Sequence, residues 1–116
     1  MTAARDRVER ERQFHDALIR EGHKTIATKE WWETPGGRVR FERRIALLKT
    51  VCITLKAPQR SRVLVLGCGD GEWVNRISEF ADVTGIDLSP LIVAQASDRL
   101  QNNTHARLEV GDVHEL

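Results

Sequence analysis

Val63-Leu64-Val65-Leu66-Gly67-Cys68-Gly69-Asp70-Gly71 is the stretch that most restricts the fold, because a short apolar run stops abruptly on alternate glycines. An uncharged run of this length suits a strand buried in a parallel sheet, and the glycines suit a tight turn that leaves it. A helix is expected at once. Trp73, Val74, Ile77 and Phe80 supply its inward stripe.

The same grammar repeats downstream. Asp82-Val83-Thr84-Gly85-Ile86 reads as a second strand and is followed by Asp87-Leu88-Ser89-Pro90. Ser89 is a good N-cap and Pro90 suits the first helical position, so a helix is predicted from Pro90 to about Leu100, ending in Gln101-Asn102-Asn103. Ala106 to Val110 reads as a third strand. Strand, helix, strand, helix, strand with short links is half of a doubly wound α/β sheet, and right-handed crossovers limit how it can wind.

Upstream, the character of the chain changes at Pro58, which divides it into an N-terminal helical region, 1–58, and a sheet-forming region, 59–116. Residues 5–21 are charge-dense, with Phe14 and Leu18 one turn apart, and predict a helix with a narrow apolar stripe that ends at Gly22 and needs a surface to lie against. After the turn signal Thr34-Pro35-Gly36-Gly37, Phe41, Ile45, Leu48, Cys52 and Leu55 recur at helical spacing and predict a helix with one buried face. Trp31 and Trp32 read as packing anchors.

Composition narrows the function. The 116 residues are 41% apolar and 30% charged, enough for one core. Lys and Arg number 18 against 17 Asp and Glu, dispersed along the chain, so no footprint for nucleic acid or anionic lipid stands out and a small partner is favoured. Cys52 and Cys68 show neither metal-ligand spacing nor a disulfide framework, which fits a reducing cytoplasm. The RDRVERER run at the N-terminus has no apolar signal core, and no stretch approaches a membrane span. His15, His23, His105 and His114 lack ligand spacing, so no metal is predicted.

In a doubly wound sheet, ligands lie beyond the carboxyl ends of the strands, here the glycine loop, Asp87 and Asp112. Gly67, Gly69 and Gly71 let backbone approach a ligand closely. Asp87, 20 residues after Gly67, is spaced to accept from the two hydroxyls of a ribose, and Asp112 from an adenine amino group. Singly, each aspartate suits a turn or cap equally well.

Together, Val63 to Gly71, then Gly85-Ile86-Asp87-Leu88-Ser89-Pro90, then Gly111-Asp112-Val113 resemble the ordered motifs of class I S-adenosylmethionine-dependent methyltransferases. The resemblance covers residues 62–116 and implies the cofactor-binding portion of a Rossmann-like methyltransferase fold. It implies that Gly67, Cys68, Gly69 and Gly71 border the methionine portion of S-adenosyl-L-methionine. It further implies that Asp87 holds the ribose, Leu88 packs on the adenine, and Asp112 with Val113 contacts the adenine edge. Val65 departs from the acidic residue that the family usually carries two positions before the first glycine. The resemblance also implies N-terminal helices laid over the cofactor as a lid, with the Phe14-His15-Asp16 and Trp31 segments as candidates.

Two rival readings stand beside it. A dinucleotide-binding oxidoreductase fragment requires a small residue at position 72, where this chain has Glu72, an acid badly placed beside a pyrophosphate. The other is a non-catalytic half-fold that serves as an interaction module. Cys68 has no base near it in sequence and is assigned no chemistry. The catalytic residues and the methyl acceptor are not identified, because in the family they come mostly from the fourth strand onward. The three strands predict an open edge along Val63 to Leu66, a template for self-association or a partner chain.

Overall fold

A computed structural model of the chain describes residues 3–21, 34–55 and 60–115. Gly22, Trp31, Trp32 and the Pro58 boundary lie outside the described residues. The elements in order are helix α1 (Ala3–Arg20), helix α2 (Pro35–Thr54), strand β1 (Arg62–Leu66), helix α3 (Glu72–Ile77), strand β2 (Asp82–Asp87), helix α4 (Pro90–Leu100) and strand β3 (Ala106–Val110). A short 3₁₀ turn, Val113–Glu115, follows.

The three strands form one parallel sheet in the order β1-β2-β3, with Val63 opposite Val83 and Gly85 opposite Leu108. This register fixes two faces, because side chains alternate along each strand. Val63, Val65, Val83, Ala106 and Leu108 face a core built with Phe41 and Ile45 of α2 and Val74 and Ile77 of α3. Phe41 is 1% exposed and meets Trp73 with ring centroids 4.5 Å apart. Leu64 and Leu66 point the other way and are 52% and 54% exposed. On that same open face Arg107 and Glu109 form an ion pair at 2.7 Å on β3. Among the described residues β1 therefore has a free edge and an uncovered apolar face, as the sequence predicts.

Local chemistry accounts for the element ends. Ser89 caps α4 by accepting from Ile92 N–H at 3.2 Å, with Pro90 in the first turn. Thr34 caps α2 by accepting from Gly37 N–H at 3.0 Å. Thr34-Pro35-Gly36-Gly37 is thus the cap and first turn of the helix, a correction to the turn expected before it. Along α2, Leu55 is 66% exposed where the periodicity predicts burial, because it stands past the last helical residue, beyond the core.

Two further expectations are corrected. α3 stops at Ile77, so Phe80 lies in the turn after it. Arg60 enforces that stop by donating to the carbonyls of Ser78 at 2.6 Å and Ala81 at 2.9 Å while pairing with Asp82 at 3.1 Å. α1 buries no residue, and Phe14 is 54% exposed. Of the narrow apolar stripe expected on α1, Leu18 is half-buried beside Ala17 and Ile19 while Phe14 faces outward, and polar contacts from Arg12 and Asp16 add to this seating.

Candidate functional site

The carboxyl ends of the three strands are tied together by backbone. Gly67 N–H and Cys68 N–H both donate to Ile86 C=O, at 2.8 and 3.1 Å, and Gly111 N–H donates to Asp87 C=O at 3.0 Å. The glycine loop, Asp87 and the Gly111-Asp112 turn thereby share one crevice. A cavity of about 590 Å³ opens there, lined from the sheet side by Gly67, Ile86, Asp87, Leu88, Gly111, Asp112, Val113 and His114. That size is within the range of small-molecule and cofactor sites.

Gly67, Gly69 and Gly71 have φ of 69°, 54° and 83°, the left-handed region that favours glycine. Their surroundings differ. A Cβ on Gly67 or Gly69 would meet nothing within 4 Å, so the backbone there is open to a ligand. A Cβ on Gly71 would stand 3.2 Å from Ala96 and Leu100, so Gly71 seats the start of α3 against α4. Arg99 of α4 anchors the same loop, donating to Asp70 C=O at 3.2 Å and to Glu72 at 3.4 Å.

Asp87 is held on both oxygens. Its Oδ2 accepts from Gly69 N–H at 3.0 Å and its Oδ1 from Ser89 N–H at 3.1 Å. A carboxylate has about four lone-pair positions, so each oxygen keeps acceptor capacity for a ligand hydroxyl. Asp112 accepts from His114 N–H through Oδ1 at 3.0 Å and caps the 3₁₀ turn. The capping role and the cavity position coexist at this residue.

Of the predicted residues, Gly67, Asp87, Leu88, Asp112 and Val113 line the cavity. Gly69 reaches it through the bond to Asp87, and Gly71 stands behind the loop. Cys68 is 3% exposed and its side chain belongs to the core. Burial first, and then the nearby Asp87 carboxylate, push its thiol up to about 12. It is a neutral core residue and is not among those that line the cavity.

The fourth wall comes from α1. Ala4, Arg7, Val8, Glu11 and His15 face the sheet across the cavity. Their spacing of three and four is the helical signal, but the charges among them disguise it as a solvated stripe. No cluster of three or more metal-ligating side chains is present among the described residues.

A family model described as Methyltransferase domain matches residues 63–116. No curated protein matches the chain. Among solved structures, the chain is similar to the DhpI–SAH complex, with 22% identity, a TM-score of 0.59, and 94% of this chain aligned to 47% of that one. It is also similar to YcgJ from Bacillus subtilis, with 22% identity, a TM-score of 0.54, and 65% of this chain aligned to 32% of that one. The N-terminal domain of EvdMO1, solved with SAH and D-fucose, shares 18% identity at a TM-score of 0.53, with 64% of this chain aligned to 31% of that one. These likenesses identify the fold as part of a Rossmann-like α/β sheet. The chain spans less than half the length of each of these three proteins.

Proposed function

We propose that residues 59–116 form the S-adenosyl-L-methionine-binding half of a methyltransferase and that residues 1–58 cover it. The observation that carries this reading is the placement of the open glycine backbone, the Asp87 carboxylate and the Asp112 turn around one cavity of cofactor size. Asp87 would hold the two ribose hydroxyls on its remaining lone pairs. Leu88 would pack on the adenine, and Asp112 with Val113 would contact its edge, Asp112 accepting from the amino group. The Gly67–Gly69 backbone would border the methionine portion. S-adenosylmethionine supplies an electrophilic methyl carbon on a sulfonium, so the protein's task is alignment with the acceptor more than covalent chemistry.

The acids beside the loop favour this ligand over a dinucleotide. Asp70 and Glu72 stand at the start of α3, where a pyrophosphate would need a neutral or positive surface. The acceptor is read as a small molecule, because the charges are balanced and dispersed. No described helix is long and apolar enough to cross a membrane, and Cys52 and Cys68 are free thiols, which supports a cytoplasmic setting. The free β1 edge and exposed Leu64 and Leu66 support self-association.

The test is calorimetric titration with S-adenosylhomocysteine, with NAD as the control ligand. Saturable binding of the first alone is expected. Asp87→Ala should weaken it by about tenfold to 150-fold, the value of hydrogen bonds to a charged group. Binding of NAD alone would replace this reading with the oxidoreductase one. A folded protein that binds neither would leave the interaction module.

A further inference from the structure

We propose that Asp16 and Arg12 are positioning residues that latch α1 across the cavity and thereby set the rate of cofactor release. The inference rests on the cofactor reading above and adds to it a device that the sheet motifs do not contain.

Four observations converge on it. First, no residue of α1 is fully buried, and its apolar residues Val8, Ala17, Leu18 and Ile19 are only half-buried, so lifting it uncovers little apolar surface. Second, it is joined to the loop after β2 by two polar contacts one helical turn apart. Arg12 Nε donates to Leu88 C=O at 3.1 Å, and the Ser89 hydroxyl donates to the Asp16 carboxylate. Third, these contacts hold the residues next to them in the helix: Glu11 and His15 stand beside Arg12 and Asp16 and line the cavity together with Ala4, Arg7 and Val8. Fourth, the latch lands on the ribose site itself. Ser89 is fully buried, and its N–H donates to Asp87 while its hydroxyl joins α1.

Ser89 therefore serves three groups at once, the α4 cap, Asp87 and Asp16. A bond to a buried hydroxyl escapes competition from water and is stronger for it. A ligand on Asp87 meets the far end of this chain of bonds, and α1 must part from Leu88 and Ser89 before the ligand can leave on that side. Because no residue of α1 is fully buried, its apolar contacts are partial and the two polar contacts add directly to the cost of opening.

The experiment uses Asp16→Ala, which leaves the Ser89 cap on α4 intact, and Asp16→Asn, which keeps an acceptor for the Ser89 hydroxyl. Dissociation of S-adenosylhomocysteine is followed by stopped-flow displacement, and amide hydrogen exchange over residues 3–20 is followed without ligand. Asp16→Ala should release the ligand about tenfold faster, with Asp16→Asn restoring much of the difference. In ligand-free protein, α1 amides should exchange faster in Asp16→Ala while those of β1, β2 and β3 keep their wild-type rates. Wild-type release and wild-type α1 exchange in Asp16→Ala would overturn the latch. A wild-type chain that binds no S-adenosylhomocysteine would instead overturn the cofactor reading and the release role with it. The ligand-free exchange distinguishes that outcome from a failed latch, because it reads the Asp16–Ser89 contact alone.

Discussion

Gly85 is the position where the fold leaves least room, and replacing it with alanine should be disproportionately costly. Its place in β2 demands no unusual backbone, so the cost is purely one of space. A Cβ there would lie 2.6 Å from Val74 Cγ2, 2.8 Å from Cys68 Cβ and 2.8 Å from Leu108 Cδ2. The three atoms come from α3, the glycine loop and β3, so no single side chain can swing away and clear the site. Val74 and Cys68 are 0% and 3% exposed, which leaves them no free volume to move into. Overpacking of a dense core costs about 1–3 kcal/mol, and contacts below 3.0 Å on three sides place Gly85→Ala at the upper end, about 3 kcal/mol. At roughly 4 °C or more per kcal/mol for a domain near this size, the melting temperature should fall by about 12 °C. Thermal unfolding followed by circular dichroism measures this directly. Val74→Ala, which opens a cavity and is destabilising alone, should partly rescue Gly85→Ala, so the double variant should lose less than the sum. A Gly85→Ala melting point within about 2 °C of wild type, or strict additivity with Val74→Ala, would refute the argument.

Other perturbations give independent checks. Gly71→Ala combines a φ of 83° with 3.2 Å contacts to Ala96 and Leu100, and should cost more than about 1 kcal/mol in urea unfolding. Asp112→Ala should weaken S-adenosylhomocysteine binding less than Asp87→Ala, because water replaces one amino-group contact more readily than a pair of ribose hydroxyls; calorimetry decides the order. Bonds from His105 first and then Arg60 hold the Asp82 carboxyl below its ordinary value. A carboxyl lowered in the folded state contributes stability that is present above its unfolded pKa and lost as pH falls through the folded value. Acid should therefore cost the wild type more stability than Asp82→Asn below about pH 4, read as denaturation midpoints across pH. Leu64→Lys with Leu66→Lys should abolish any concentration-dependent association seen by sedimentation, because charge on an open edge opposes pairing.

The parts of this molecule that are legible in sequence are those whose cause is local. Ser89 and Pro90 mark the start of α4 because cap and first-turn chemistry act within four residues. The run from Val63 to Leu66 marks β1 because an uninterrupted apolar stretch with valine at alternate positions is carried by the run itself, although only the valine face is partly buried. The early end of α3 is illegible because its cause is Arg60, reaching Ser78 and Ala81 from across the chain. Thr34 through Gly37 looks like a turn because glycine and proline dominate it, whereas the threonine cap converts the same residues into a helix start. At the site, Asp87 and the glycine loop are announced by spacing. The wall from α1 is not, since Arg7, Glu11 and His15 resemble any solvated helix face until the Arg12 and Asp16 contacts place them.

The sequential order of the strands bears on how the molecule is made. β1, β2 and β3 are neighbours in space as they are in the chain, and the links between elements are residues 67–71, 78–81, 88–89 and 101–105. Closing such short links carries little entropic penalty, and none waits for a distant segment. On a ribosome, the glycine loop, Asp87 and the Asp112 turn can therefore assemble in the order in which they emerge. Among the described residues the same order leaves β1 unpaired on one side throughout that interval, its backbone donors and acceptors and the Leu64–Leu66 face presented together. A nascent chain at this stage is an incomplete sheet that any extended strand can continue, and the interval before that edge is covered is when a chaperone matters most to its yield.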